Sequence, residues 1–197
     1  MEGLPYAEIF SAFVALRQQK AVCMAGIPYK KVPGKVAASA ALVALLGVGA
    51  AQLSVDTVSD FEGYVPHAYK CPANVWTKCF GDTTNVTPGA DYTFEECVES
   101  LNAHLVELTK PILRCVPTLG AQPAKVKAAA ASMAYNIGPA AFCKSSVAAK
   151  FNAGDYEGGC RRIAEIYTTA GGVELAGLDR RRKYESRMCL EGIRGGR

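Results

Sequence analysis

The sequence predicts an α+β fold, a small irregular sheet beside a larger helical part, preceded by an N-terminal membrane-inserting helix. Three observations carry this. Residues 64–90 hold Pro66, Pro72, Gly81, Pro88 and Gly89 around a short β-like run, Val75-Trp76-Thr77. Beyond them, apolar residues recur at helical spacing almost to the end of the chain. Upstream, Val36 to Val55 is a stretch of 20 residues without a charge, long enough to cross a bilayer as a helix.

The uncharged stretch is flanked by Lys30, Lys31 and Lys35 on one side and Asp56 on the other. The positive-inside rule therefore leaves everything after it outside the cytoplasm. Eleven of its 20 residues are Ala, Gly or Ser, and Gln52 adds a polar amide, so it should hold a membrane weakly. Three readings stand. Small residues at Gly49-Ala50-Ala51 suit a cleaved signal peptide. A permanent anchor is disfavoured by so little Leu and no Ile or Phe. A reversible anchor, which inserts and later leaves, accounts for both the length and the small residues. Met24 begins a conventional targeting segment, Met24 to Lys31, so translation from Met24 is expected, with residues 1–23 an upstream extension. The alternative is a short cytoplasmic helix carrying Ile9, Phe10, Phe13 and Leu16.

The elements then follow in order. Residues 57–62 read as the end of a helix running into Asp60 and Glu62. Residues 64–90 read as hairpins. Thr93 with Glu96 makes a capping box, and Phe94, Cys97, Leu101, Leu105 and Leu108 continue that helix until Pro111. Pro123 opens an Ala-rich helix with Val126, Ala130, Met133 and Ala134 inward, closed at Gly138. Further helices fit 145–152, 155–168 and 178–190, with Asp155 and Asp179 as N-caps.

Half the residues are apolar and a fifth are charged, which excludes a disordered chain. The net charge of +4 is modest. Basic residues gather at Arg180, Arg181, Arg182, Lys183, Arg187, Arg194 and Arg197, without the aromatic interleaving or zinc-type spacing of a nucleic-acid binder. We read them as a solvated helix face paired with Glu185 and expect no nucleic-acid partner. Eight cysteines are scattered without a repeated C-x-x-C pair, and the two histidines are far apart. That argues against a metal site and for disulfides in an oxidising space.

Among residues able to do chemistry, Glu62 sits beside Phe61, Gly63 and Tyr64. A carboxyl among apolar groups is desolvated, which favours its protonated form and suits a general acid. The run that follows sharpens this: after Gly63 and six intervening residues comes Lys70-Cys71-Pro72-Ala73-Asn74-Val75-Trp76-Thr77. Over residues 58–192 the chain resembles the phage lysozyme family, the T4-lysozyme-like muramidases, and within it the signal-anchor-release phage endolysins. The match rests on Glu62 and Thr77 at the family's spacing, Val75-Trp76-Thr77 ahead of Gly81, and Ala134-Tyr135-Asn136-Ile137-Gly138. It extends through Phe151 to Tyr156, Ala170-Gly171-Gly172 before Gly177-Leu178, and the closing Arg180-Arg181-Arg182 with Glu185, Cys189 and Leu190.

The resemblance implies a lysozyme-like fold over 56–197, the catalytic domain, following an extension (1–35) and the signal-anchor segment (36–55). It implies hydrolysis of the β-1,4 bond between N-acetylmuramic acid and N-acetylglucosamine in bacterial peptidoglycan, causing host lysis without a cofactor or metal. A lytic transglycosylase or a non-catalytic wall-binding protein are the alternatives. It places the chain first at the inner membrane through residues 36–55, facing the periplasm, and then free in the periplasm as a monomer. The implied catalytic set is Glu62, Cys71 and Thr77.

Two departures matter: the family's usual Asp is Cys71, and the His that often follows the sheet's glycine is Asp82. A thiolate, being an anion, can hold water or attack carbon in place of a carboxylate. The other reading makes Cys71 structural and the enzyme dead. Asp60 and Asp82 are nearby replacement carboxylates without the family spacing. The resemblance also implies Cys79–Cys97 and Cys160–Cys189 as pairs, with Cys115–Cys143 the third. Cys71 is then expected to be held in a disulfide while the anchor is inserted, with Cys79 the candidate partner, and freed by exchange with Cys23 or another thiol, the Cys23 route being lost where translation starts at Met24.

Overall fold

The uncharged stretch folds as two helices, α1 (Ala40–Leu46) and α2 (Val48–Glu62), bent by 115° at their junction. The structure is a computed structural model and describes residues 32–70, 74–170 and 172–195. The bend follows from Gly47, whose φ of 81° no residue with a side chain adopts readily. Its N–H closes α1 on the Val43 carbonyl at 2.7 Å. At the other end of α1 the Ser39 hydroxyl accepts from the Leu42 N–H. Among the described residues no single helix is long and apolar enough to cross a membrane; the bent pair meets that test only together. Here the stretch is core instead: Leu42, Leu46, Ala50, Ala51 and Val55 are all at most 1% exposed.

Two side-chain amides hold the strand-like residues ahead of α1. Gln52 accepts from the Ala38 N–H at 3.2 Å and donates to the Val36 carbonyl at 2.8 Å. Asn102 accepts from the Ser39 N–H at 2.7 Å and donates to the Ala37 carbonyl at 3.0 Å. The polar residue that weakens the apolar stretch as an anchor thus finds partners within the fold.

After Gly63 the chain turns into a two-stranded antiparallel sheet, β1 (Val65–Lys70) and β2 (Trp76–Cys79). Tyr69 pairs with Thr77 and Lys70 with Trp76, and the register slips between Val65 and Tyr69. Thr93 and Glu96 form the expected capping box of α3 (Phe94–Cys115). That helix does not end at Pro111 but continues to Cys115. The proline removes one backbone donor, while Leu108, Thr109 and Ile112 bury the same face on both sides of it. A 3-10 segment (Pro117–Ala121) leads to α4 (Ala124–Ile137), closed at Gly138 with φ 83°. Its Ala128 to Ala131 are fully buried, so it is the central helix, packed by α2, α3 and α8.

Short helices α5 (Pro139–Cys143), α6 (Ser146–Asn152) and α7 (Tyr156–Ile163) follow, then a hairpin of β3 (Thr169–Ala170) and β4 (Val173–Glu174), and α8 (Ala176–Gly195). Asp155 caps α7, accepting from Gly158 at 2.8 Å. Asp179 is not an N-cap: it lies inside the first turn of α8 and pairs with Lys183 at 2.9 Å. Disulfides join Cys79 to Cys97, Cys115 to Cys143 and Cys160 to Cys189. They tie β2 to α3, α3 to α5 and α7 to α8. Each closes a loop of tens of residues, worth about 3 kcal/mol by chain entropy.

The basic run is not a solvated face. Arg180, Lys183 and Arg187 are exposed, but Arg181 is 4% exposed and Arg182 fully buried. Both enter the core because carboxylates wait there.

Candidate active site

Glu62 is the last residue of α2. Gly63, at φ 68°, ends the helix by donating to the Ser59 carbonyl and sends the chain into β1. Glu62 is thereby fixed at the seam of helix and sheet, 2% exposed. Its Oε1 accepts from Arg181 Nη1 at 2.8 Å. Of the neighbours that suggested an apolar setting, Phe61 lies under the Arg181 guanidinium at 5.2 Å. Tyr64 turns away to meet Phe80 and Phe94. The dominant neighbour of Glu62 is therefore a cation.

Arg181 is shared. Its Nε donates to Glu185 Oε1 at 3.1 Å and its Nη2 to the Ser132 carbonyl at 3.2 Å. Glu185, fully buried, also accepts from the Ser132 hydroxyl at 2.6 Å and lies 3.1 Å from Arg182 Nη1. Arg182 Nη2 donates to Asn136 Oδ1 at 2.9 Å. Burial alone would lower the pKa of Arg181, but Glu62 and Glu185 outweigh it and raise it. Burial wins at Arg182, which falls to about 10 against the opposing pull of Glu185, and so remains a cation at neutral pH.

Thr77 lies on β2, 2% exposed, its hydroxyl donating to the Val75 carbonyl at 3.2 Å. The ladder sets it opposite Tyr69 on the strand that leaves Glu62. Cys71 and Cys23 lie outside the described residues, and Cys79 is bonded to Cys97. Asp60 is exposed on α2, its pKa raised by partial desolvation and then by Asp56.

Asp82 is 5% exposed and serves the junction of sheet and α3. It accepts from the Ser100 hydroxyl at 2.5 Å and from the Thr84 N–H and hydroxyl at 2.8 and 2.6 Å, with Lys78 3.7 Å away. Burial would raise its pKa, but these donors and the lysine hold it below the ordinary value.

Tyr135 was visible in the sequence only as part of a motif. Its hydroxyl donates to the Phe80 carbonyl at 2.9 Å, and burial, reinforced by Glu62 and Asp82, keeps it neutral with a pKa well above the usual value. Arg181, Glu185 and Ser132 were not foreseen as neighbours of Glu62. The spacing of four between Arg181 and Glu185 signals their pairing on one helix, but nothing local announces a partner 119 residues away. Among the described residues no group of three or more His, Cys, Asp or Glu side chains converges as metal ligands.

The sequence of the phage lysozyme family matches residues 59–185. The chain belongs to that family. Its relatives include the SAR-endolysin of Enterobacteria phage P21, 35% identical over 130 residues, covering 66% of this chain and 76% of the relative. The SAR-endolysin of Escherichia phage Mu is 34% identical over 175 residues, 87% of this chain and 96% of the relative. In fold, this phage lysozyme is similar to the active form of the P1 phage endolysin Lyz, with a TM-score of 0.67 over 81% of this chain and 97% of that one, at 24% identity. The endolysin from Escherichia coli O157:H7 phage FAHEc1 gives 0.62 at 26% identity, over 71% of this chain and 91% of that one. This phage lysozyme is a glycoside hydrolase of endolysin type that lyses peptidoglycan.

Proposed function

We propose that this phage lysozyme cleaves the β-1,4 bond between N-acetylmuramic acid and N-acetylglucosamine, with Glu62 as the general acid. The observation that carries this is a carboxyl buried at the end of α2, ion-paired to Arg181 and three residues ahead of β1, the strand paired with the one that bears Thr77. Glu62 gives its proton to the leaving oxygen as the bond to the anomeric carbon breaks. Thr77 and Cys71, the latter as a thiolate, position the water that adds to that carbon or stabilise the cationic state before it does.

The segment 36–55 is proposed to hold the chain at the inner membrane, facing the periplasm, before the protein becomes a soluble periplasmic monomer. Leu42, Leu46 and Val55 cannot lie in lipid and in the core at once, so insertion and the folded domain exclude each other. The division into extension, anchor and catalytic domain is thus one of history: the anchor becomes α1 and most of α2.

Mass spectrometry of digested peptidoglycan tests the chemistry. The parent is expected to release reducing muropeptides, and Glu62→Gln to lose on the order of 10²-fold or more of that activity. Cys71→Ser is expected to be impaired while keeping its fold. Anhydro-muropeptides would assign a lytic transglycosylase instead, and a fully active Glu62→Gln would remove Glu62 from the role.

A further inference from the structure

We propose that Glu185 is a positioning residue for the reaction: it holds Arg181 whenever Glu62 carries the proton it is to donate. This rests on Glu62 being the acid, and it goes beyond that reading by naming what lets a buried ion-paired carboxyl act as one.

The cluster contains two carboxylates, Glu62 and Glu185, and two guanidiniums, Arg181 and Arg182, none more than 4% exposed. Its formal charge is zero when all four are ionised. Protonating Glu62 removes one negative charge next to Arg181. In a simple buried pair that would strand a guanidinium out of water, which is strongly unfavourable. Here Arg181 keeps the Glu185 carboxylate at 3.1 Å and the Ser132 carbonyl at 3.2 Å. Glu185 in turn remains supported by the Ser132 hydroxyl at 2.6 Å and by Arg182 at 3.1 Å. The spacing of four on α8 makes the Arg181–Glu185 contact a local one, independent of Glu62 on α2. Glu185 therefore acts on Glu62 through Arg181, which touches both, and offsets the positive field beside Glu62.

Among the other titratable groups, Tyr135 on α4 is coupled electrostatically to Glu62 and Arg181, and Asp82 beyond β2 and Tyr69 on β1 are coupled to Tyr135; Asp60 on α2 responds to Asp56 instead. All of them are common to the parent and to each variant below.

The test is the pH profile of lysis by Glu185→Gln, Glu185→Asp and Arg182→Gln proteins, with near-ultraviolet circular dichroism to verify folding. In Glu185→Gln the uncompensated positive charge favours ionised Glu62. The alkaline fall in activity is expected about one pH unit lower, with roughly tenfold less activity beyond it and convergence with the parent at acid pH. Glu185→Asp is expected to return the fall to the parent position. Arg182→Gln removes a positive charge from the same cluster and is expected to move it upward.

A folded Glu185→Gln whose alkaline fall is unmoved, or whose activity drops equally at every pH, overturns the proposal. If Glu185→Gln does not fold, Arg182→Gln decides, and an unmoved or lowered fall overturns it. If both fail to fold, Glu185→Asp decides, and an alkaline fall displaced to lower pH in that folded variant overturns the proposal. Glu62→Gln separates the two levels. An active Glu62→Gln removes the acid itself, whereas an inactive one with an unmoved profile in Glu185→Gln removes only the role of Glu185.

Discussion

Replacing Asn102 by Ala cuts the segment before α1 from the body of the fold, and its cost can be worked out bond by bond. The Asn102 amide makes three hydrogen bonds, to the Ser39 N–H, the Ala37 carbonyl and the Val98 carbonyl. The last lies within α3, where the backbone already supplies a donor, so its loss costs little. The first two leave a donor and an acceptor without their partner, at about 1–3 kcal/mol each when water is kept away. Ala37 is exposed and Ser39 half-buried, so the lower part of that range applies, about 2–4 kcal/mol in total. For a chain of this size that is a fall in Tm of roughly 4–16 °C. Gln52 grips the same segment through Val36 and Ala38. Once the segment frays, Gln52 has lost its two partners there and keeps Asp56 within α2, so Gln52→Ala should cost less in the Asn102→Ala background, with a coupling of about 1 kcal/mol. Urea titration of the purified protein, its two single variants and the double variant measures this. A loss under 1 kcal/mol for Asn102→Ala, or strict additivity with Gln52→Ala, refutes the latch.

Two further outcomes follow. Asp82→Asn should flatten the acid limb of stability. A carboxyl whose folded pKa lies below its unfolded value stabilises the fold above the unfolded value, near pH 4, and loses that contribution as pH falls through the folded one, so the variant's denaturation midpoint should change less than the parent's between roughly pH 5 and pH 2. Gly47→Ala forces a side chain onto φ 81° and should cost about 1–2 kcal/mol in the folded domain, read as a lowered Tm; on the proposed anchoring, cell fractionation should also find more protein with the membrane.

Much of the fold was legible because the signals were local. The capping box at Thr93 and Glu96 sits where the sequence predicts it, and Gly138 closes α4. The hairpin of β3 and β4 escaped because two residues per strand carry no alternation. α5 escaped because five residues hold barely one turn. Pro111 marks a helix end by backbone chemistry alone, and only the burial of Leu108 and Ile112 explains why α3 runs past it. The site divides in the same way. Glu62 could be singled out from its neighbours and its spacing to Thr77. The burial of Arg181 and Arg182 could not, because a run of charges is rated by its affinity for water. That rating reverses only when a carboxylate from a distant helix meets it out of solvent.

The packing of α2 on α4 has a consequence for how the stretch 36–55 can vary. Ala50 and Ala51 on α2 have at most 1% of their surface exposed. There is no room there for leucine, since extra methylenes in a filled core cost about 1–3 kcal/mol. Yet leucine is the substitution that would bind lipid more firmly. If the segment first holds the membrane, as proposed above, those two positions set a ceiling on its lipid affinity: leucine there would bind lipid more firmly but would not fit the shape that the folded domain requires.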